Sequence, residues 1–223
     1  GDVSIYSDGS ASTAITNQGT LTHTSAAASG SIYASTFTNQ GSITATAGTL
    51  YLNYPSAGYN AVNTATGTVT ADGASTTVYI RGNFDNDGTL TAQNAGTLLF
   101  DGTNTTANLG TVVLASGGRA RLYGTLDNTS ATLTAPTGGS YELYAGTILG
   151  GTIASGALTF TSSGGYLDAA TLSGDLSLPN STYVRFRNGA TFSGANATLG
   201  NNASVYWEQS GTLTGKSLSL GSG

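Results

Sequence analysis

Apolar residues recur along this chain at short, even intervals, and most positions between them are Gly, Ser, Thr, Ala or Asn. Within each apolar stretch the alternation has a period of two, as in Val69-Thr-Ala71 and Val184-Arg-Phe186. Period two is the mark of a strand buried on one face. The helix formers Glu, Lys, Gln and Met are nearly absent, while β-branched and turn-forming residues abound.

One motif sets the spacing: apolar-x-Asn-x-Gly-Ser/Thr-apolar. It reads Ile15-Thr-Asn17-Gln-Gly19-Thr-Leu21, then Phe37-Thr-Asn39-Gln-Gly41-Ser-Ile43, then Phe84-Asp-Asn86-Asp-Gly88-Thr-Leu90. A weaker copy lies at Asn108-Leu-Gly110-Thr-Val112, with looser relatives around Asn63 and Gly67 and around Leu126 and Asn128. The strand after the motif predicts inward residues Leu21, Ile43, Val69, Leu90, Val112, Leu133, Leu158, Leu178, Leu199 and Leu220. A second strand predicts Ile5, Ile32, Leu52, Ile80, Phe100, Ala120, Leu143, Leu167, Phe186 and Trp207. A third, just before the motif, predicts Ile15, Phe37, Val62, Phe84, Leu126, Ile153, Leu172, Phe192 and Leu213. It lacks an apolar residue near Thr106, and two apolar runs compete around residues 146–156.

A slip of one residue reverses every side chain of a strand, so three concordant series carry weight. They predict an all-β, parallel β-solenoid with three short strands per rung. About ten rungs of about 22 residues would form a single domain over residues 1–223, roughly triangular in section. Gly and Asn stand at the corners, where positive φ is often needed. The longest excursion from the minimal rung is near Tyr54–Asn60.

Composition narrows the function classes. Only 8% of residues are charged, against roughly 25% in an ordinary globular domain. There is no Cys, which excludes disulfides and thiolate metal sites. A net charge of −5 argues against nucleic acid as a partner. No stretch is apolar enough for membrane insertion. No signal peptide is visible, and Gly1 reads as a mature start.

The register also predicts what faces out. One column, opening with Ser35 and Asn53, continues as Arg81, Asp101, Arg121, Glu142, Asp168, Arg187 and Glu208. Its signs nearly alternate, as a cross-rung salt-bridge ladder requires. The neighbouring column holds Tyr33, Tyr51, Tyr79, Arg119, Tyr166, Arg185 and Tyr206. It reads either as aromatic stacking that stiffens the sheet or as a contact strip for a surface glycan or a second solenoid. The first strand carries paired threonines, Thr20 and Thr22, Ser42 and Thr44, Thr68 and Thr70, Thr89 and Thr91, a pattern similar to ice-binding faces. Asn17, Asn39, Asn86 and Asn108, with Asn63 and Asn128 as further candidates, predict a corner ladder of stacked amides.

Catalytic chemistry is sparse. The single His, His23, lies between Thr22 and Thr24 and reads as an exposed strand residue, with no triad around it. Asp85-Asn86-Asp87-Gly88 makes Asp85 and Asp87 a weak calcium candidate, but the further acids of a calcium loop are missing. No other cofactor is expected. Asp85, Asp87 and Asp101 with Arg81 form the one carboxylate cluster a polysaccharide lyase or hydrolase could use, and an enzyme is not expected.

On Phe37-Thr-Asn39-Gln-Gly41-Ser-Ile43 and its copies, the chain resembles filamentous-haemagglutinin-like adhesins and autotransporter-type β-helical passengers. The resemblance implies a right-handed parallel β-helix, exported by a bacterium and used for attachment, surface display or biofilm matrix. No polar cap is evident at either end. By this register the chain opens on a second-type strand and closes after a first-type strand, so copies could join head to tail. The expectation is therefore a structural and adhesive extracellular solenoid. It would be either a module of a surface adhesin or a self-assembling filament subunit. A carbohydrate-binding or polysaccharide-degrading β-helix and an ice-binding solenoid are the alternatives.

Overall fold

The computed structural model describes residues 3–6, 13–54 and 59–221. Gly1 and the middle of the Tyr54–Asn60 excursion lie outside them. The chain is an all-β, parallel β-solenoid of about ten turns, with successive turns about 21 residues apart. It falls into two compact units, Gly1–Arg121 with Pro136–Gly139, and Leu122–Ala135 with Ser140–Gly223.

In the first unit the chain visits three sheets in rotation, broken once, where Thr103–Thr105 stands outside all three. An aromatic face takes strands Val3–Tyr6, Ser29–Tyr33, Gly48–Leu52, Thr76–Arg81 and Thr97–Asp101. An asparagine face takes Ala14–Asn17, Thr36–Asn39, Asn60–Asn63 and Asn83–Asn86. A threonine face takes Thr20–His23, Ser42–Ala45, Thr68–Asp72, Thr89–Gln93 and Thr111–Leu114. Each strand pairs in parallel with its counterpart one turn on, so like side chains stack. Ile43, Val69 and Leu90 form one buried column. Leu52, Ile80 and Phe100 form another.

The asparagine corner is a continuous hydrogen-bonded ladder. Asn17 Nδ2 donates to Asn39 Oδ1, Asn39 Nδ2 to Asn63 Oδ1, and Asn63 Nδ2 to Asn86 Oδ1, each at 2.7 Å. Asn63, a looser candidate on sequence, is thus a full member. Asn108 is not. It lies in the 3-10 turn Ala107–Leu109, where its Oδ1 accepts from the Thr105 hydroxyl. Asn86 Nδ2 ends the ladder on the Leu109 carbonyl at 2.8 Å. The same turn supplies the apolar side chain missing near Thr106, since Leu109 is buried. At Gly41, Gly88 and Gly110 the glycine of the motif has no room for a side chain. A Cβ on Gly88 would lie 2.2 Å from the Gly67 oxygen, and one on Gly110 would lie 1.8 Å from the Asn86 oxygen.

Two inward assignments in this unit change. Ala61 stands opposite Phe37 and is buried, while Val62 faces out. Hydrophobicity favours Val62, but the amide bonds of Asn63 fix the register one residue away. His23 is not an exposed strand residue. It continues the inward alternation from Leu21 and stands opposite Ala45. Its ring lies against Gly30, where a Cβ would meet Nδ1 at 2.8 Å. His23, Ile5, Leu21, Gly30, Ile32 and Leu50 line a cavity of about 240 Å³, and Nε2 is buried without a hydrogen-bond partner among the described residues. An unpaired buried nitrogen costs about 1–3 kcal/mol. His23→Leu is therefore expected to raise stability by about 1 kcal/mol, read as a later denaturant midpoint. An earlier midpoint would show that the imidazole is satisfied.

The second unit is built on a different grouping. One sheet joins Thr125–Asp127, Thr147–Leu149, Tyr166–Asp168, Tyr183–Arg187 and Ser204–Trp207. A second joins Thr132–Leu133, Thr152–Ile153, Thr171–Leu172 and Thr191–Phe192. A third joins Leu176–Leu178, Asn196–Leu199 and Ser217–Leu220, and Tyr141–Leu143 pairs with Leu158–Phe160. Leu143 therefore stands opposite Phe160, not Leu167, and Leu167 stands between Ile148 and Phe186. Leu133 aligns with Ile153. Leu158 is half-buried opposite Tyr141, and Leu213 is exposed outside any strand. The cause is the segment around residue 150. Ile148 and Ile153 are inward residues of two consecutive strands, separated by Gly150 and Gly151 at φ 68° and 63°. Asn128 donates to the Gly150 and Thr152 carbonyls here, with no amide following it.

Candidate functional site

The outward side chains of the aromatic face gather around one guanidinium. Tyr51 and Tyr79 are opposite each other, with ring centroids 4.8 Å apart. Arg81 lies one outward position beyond Tyr79, and its guanidinium carbon is 4.1 Å from the Tyr51 centroid and 5.2 Å from that of Tyr79. Stacking of this kind is worth about 0.5–1 kcal/mol at an exposed site. Arg81 Nε is 3.3 Å from Asp101 Oδ2, an ion pair that falls short of hydrogen-bond geometry.

Tyr33 does not belong to the Tyr51 column, because Ser31 stands opposite Tyr51. It meets Arg81 from further along the strand, accepting a hydrogen bond from Arg81 Nη1 at 3.4 Å. Asn53 leaves the outward column altogether. It adopts φ 67°, is fully buried, and donates to the carbonyls of Arg81 and Asn83. Tyr54 and Tyr59 extend the cluster, with Tyr54 5.2 Å from both Tyr33 and Tyr59. Leu99, opposite Tyr79, is buried, and Arg119 is exposed.

A second cluster lies in the second unit on the strands Tyr166–Asp168, Tyr183–Arg187 and Ser204–Trp207. Tyr166, Arg185 and Tyr206 stand opposite one another as the sequence predicts. The Arg185 guanidinium lies 4.3 Å from the Tyr206 ring, and that of Arg187 lies 4.3 Å from Tyr166. Tyr183 joins edge-on to Tyr206 at 5.9 Å. Period two could have found it, since it sits two residues before Arg185. Nothing in the sequence brings Tyr54 and Tyr59 to Tyr33.

The charge ladder is real in its pairs and broken in its run. Arg81 pairs with Asp101. Arg187 Nε donates to Asp168 Oδ2 at 2.8 Å, and Asn188 donates to the other oxygen at 2.7 Å. Glu208 then reaches diagonally to Arg185, which holds that guanidinium above its ordinary pKa. Glu142 stands opposite Thr159, so no continuous column leads from it to Asp168. Arg121 is half-buried on its strand. Other carboxylates act as corner staples. Asp72 accepts from Gln93 and Asn94, and Asp175 from the backbone and side chain of Asn196. These bonds hold both carboxyls below their ordinary pKa.

The candidate lyase cluster does not assemble. Asp101 is engaged with Arg81 on the aromatic face, Asp85 lies on the asparagine face opposite Val62, and Asp87 is exposed at the corner. Among the described residues no three His, Asp or Glu side chains converge on a metal-sized space. Among the described residues no helix is long and apolar enough to cross a membrane. The surface thus offers flat aromatic rings with guanidinium and carboxylate groups at their edges. Such groups match the apolar faces and hydroxyls of a sugar ring, or the rings of a second solenoid. Comparison with protein-family models, curated proteins and solved structures finds no match.

Proposed function

We propose that this chain is a structural and adhesive β-solenoid working outside a bacterial cell, and that it makes contact through its side faces. The observation that carries this reading is the pair of Tyr–Arg clusters. Both present rings and ion-paired guanidinium groups on stacked strands, where turns succeed one another about 4.8 Å apart. Tyr206 and Tyr54 are exposed by 45% and 42%, so the clusters face solvent. Because Arg81, Arg185 and Arg187 are each paired with a carboxylate, the strip favours a neutral glycan over an anionic one.

A glycan array with the whole chain tests this. The Tyr79→Ser, Tyr166→Ser double variant should lose binding by about tenfold or more while its circular dichroism is unchanged. Equal binding by variant and parent, or binding by neither, would overturn the glycan contact. A second reading, lateral self-assembly, rests on the same clusters, whose rings suit packing on those of a second solenoid. Electron microscopy across a concentration series would show laterally associated assemblies if a second copy is the partner, and discrete particles if it is not.

A further inference from the structure

We infer that the threonine face of the first unit is an ice-binding surface, a function separate from any contact made by the aromatic face. The five strands of this face pair without a slip. Thr20, Ser42, Thr68, Thr89 and Thr111 stand in one outward column, and Thr22, Thr44, Thr70, Thr91 and Val113 in the next. Of these ten positions eight are threonine, one is serine and one is valine. None is charged, and all are exposed or half-exposed.

Two properties distinguish this lattice from an ordinary strand surface rich in threonine. First, no hydroxyl in either column makes a hydrogen bond among the described residues, although threonines elsewhere do, as at Thr64, Thr66 and Thr76. The array is thus an unsatisfied, two-dimensional set of hydroxyl and methyl groups. Second, the lattice is rigid. Threonine is stiff at χ1, and directly beneath lie the buried column Ile43, Val69, Leu90 and Val112 and the small residues Ala45, Ala71 and Ala92. The asparagine ladder locks the adjoining corner.

In-register parallel strands fix the repeats at about 4.8 Å across the strands and about 6.6 Å along them. A soluble ligand has no use for such periodicity over five strands. A crystal surface does, because each repeat adds the same weak contact. Ice exposes oxygens on a lattice of this scale, and methyl groups between the hydroxyls order water without competing for it. A crystalline polysaccharide is also periodic, but it is gripped through aromatic platforms, and this face has no aromatic residue among its ten outward positions.

Ice recrystallisation inhibition and thermal hysteresis of the whole chain test the inference. The parent should slow recrystallisation and shape growing ice. Thr70→Tyr with Thr91→Tyr, which breaks the flatness at the centre of the lattice, should raise the concentration needed by about tenfold or more. Thr38→Tyr, equally bulky but on the asparagine face, should leave it unchanged. Circular dichroism establishes that each variant is folded. Failure of the folded parent to affect ice, equal loss in Thr38→Tyr, or adsorption to crystalline cellulose without any effect on ice would each overturn the inference. None of these outcomes bears on the glycan array, so the two functions stand or fall separately.

Discussion

Asn63→Ala is expected to destabilise the first unit by about 2–4 kcal/mol. The side chain of Asn63 is fully buried. Its Oδ1 accepts from Asn39, and its Nδ2 donates to Asn86 Oδ1 at 2.7 Å and to the Gly67 carbonyl at 3.1 Å. Alanine removes these bonds and leaves Asn86 Oδ1 buried without a donor. A net bond is worth about 0.5–1.5 kcal/mol and an orphaned buried group costs about 1–3 kcal/mol. The corner is tightly packed: a Cβ on Gly67 would lie 2.3 Å from Asn63 Oδ1, and one on Gly88 would lie 2.2 Å from the Gly67 oxygen. Asn63→Asp should be worse at neutral pH. A carboxylate still accepts from Asn39 but cannot donate to Asn86, and it places a charge among carbonyl oxygens. Denaturant unfolding followed by circular dichroism gives the size of the effect. Hydrogen exchange should locate it in the amides from Asn39 to Thr89. If Asn63→Ala unfolds within about 0.5 kcal/mol of the parent, the ladder is an accompaniment of the corner and not its support.

The ladder also shows why the sequence was legible where it was. A solenoid repeats its neighbours, so any residue type that must stack becomes visible as a period. Asn17, Asn39 and Asn86 declare the corner, and Leu21, Ile43 and Leu90 follow at a fixed distance. Legibility fails where the physics that fixes register is not hydrophobic. Val62 outranks Ala61 on any apolar scale, yet the amide bond of Asn63 decides which points in. His23 is polar and stands between threonines, but alternation from Leu21 and the space above Gly30 turn it inward. Near residue 150 the diglycine lets two strands follow each other within a few residues, and a spacing argument merges them. This merging misassigned Leu143 and Leu133, and with them the run of the charge ladder. The side-face clusters were half legible. Opposed positions such as Tyr166, Arg185 and Tyr206 follow from register alone, whereas Tyr54 meeting Tyr33 depends on how an excursion folds back.

Phe186→Ala should give the largest loss in the second unit, about 3–5 kcal/mol. Phe186 is fully buried between Leu167 and Trp207 in its column. Its ring stacks on Trp207 at 5.2 Å and 24°, and meets Phe192 edge-on at 6.4 Å. Alanine leaves a cavity the size of a phenyl ring. Stacked turns cannot close it, because each strand is held by backbone hydrogen bonds to the turns on both sides: Arg185 N donates to Gly165 O, and the Phe186 carbonyl accepts from Glu208 N. Trp207 is the chain's single tryptophan, so its fluorescence reports this site alone. The folded variant should show a red-shifted emission as the indole gains contact with water, and its fluorescence transition should move to lower denaturant. Phe186→Leu, which keeps most of the buried volume, should recover more than half of the loss. Unchanged emission together with an unchanged midpoint would mean that the Trp207 strand does not pack on Phe186 in solution.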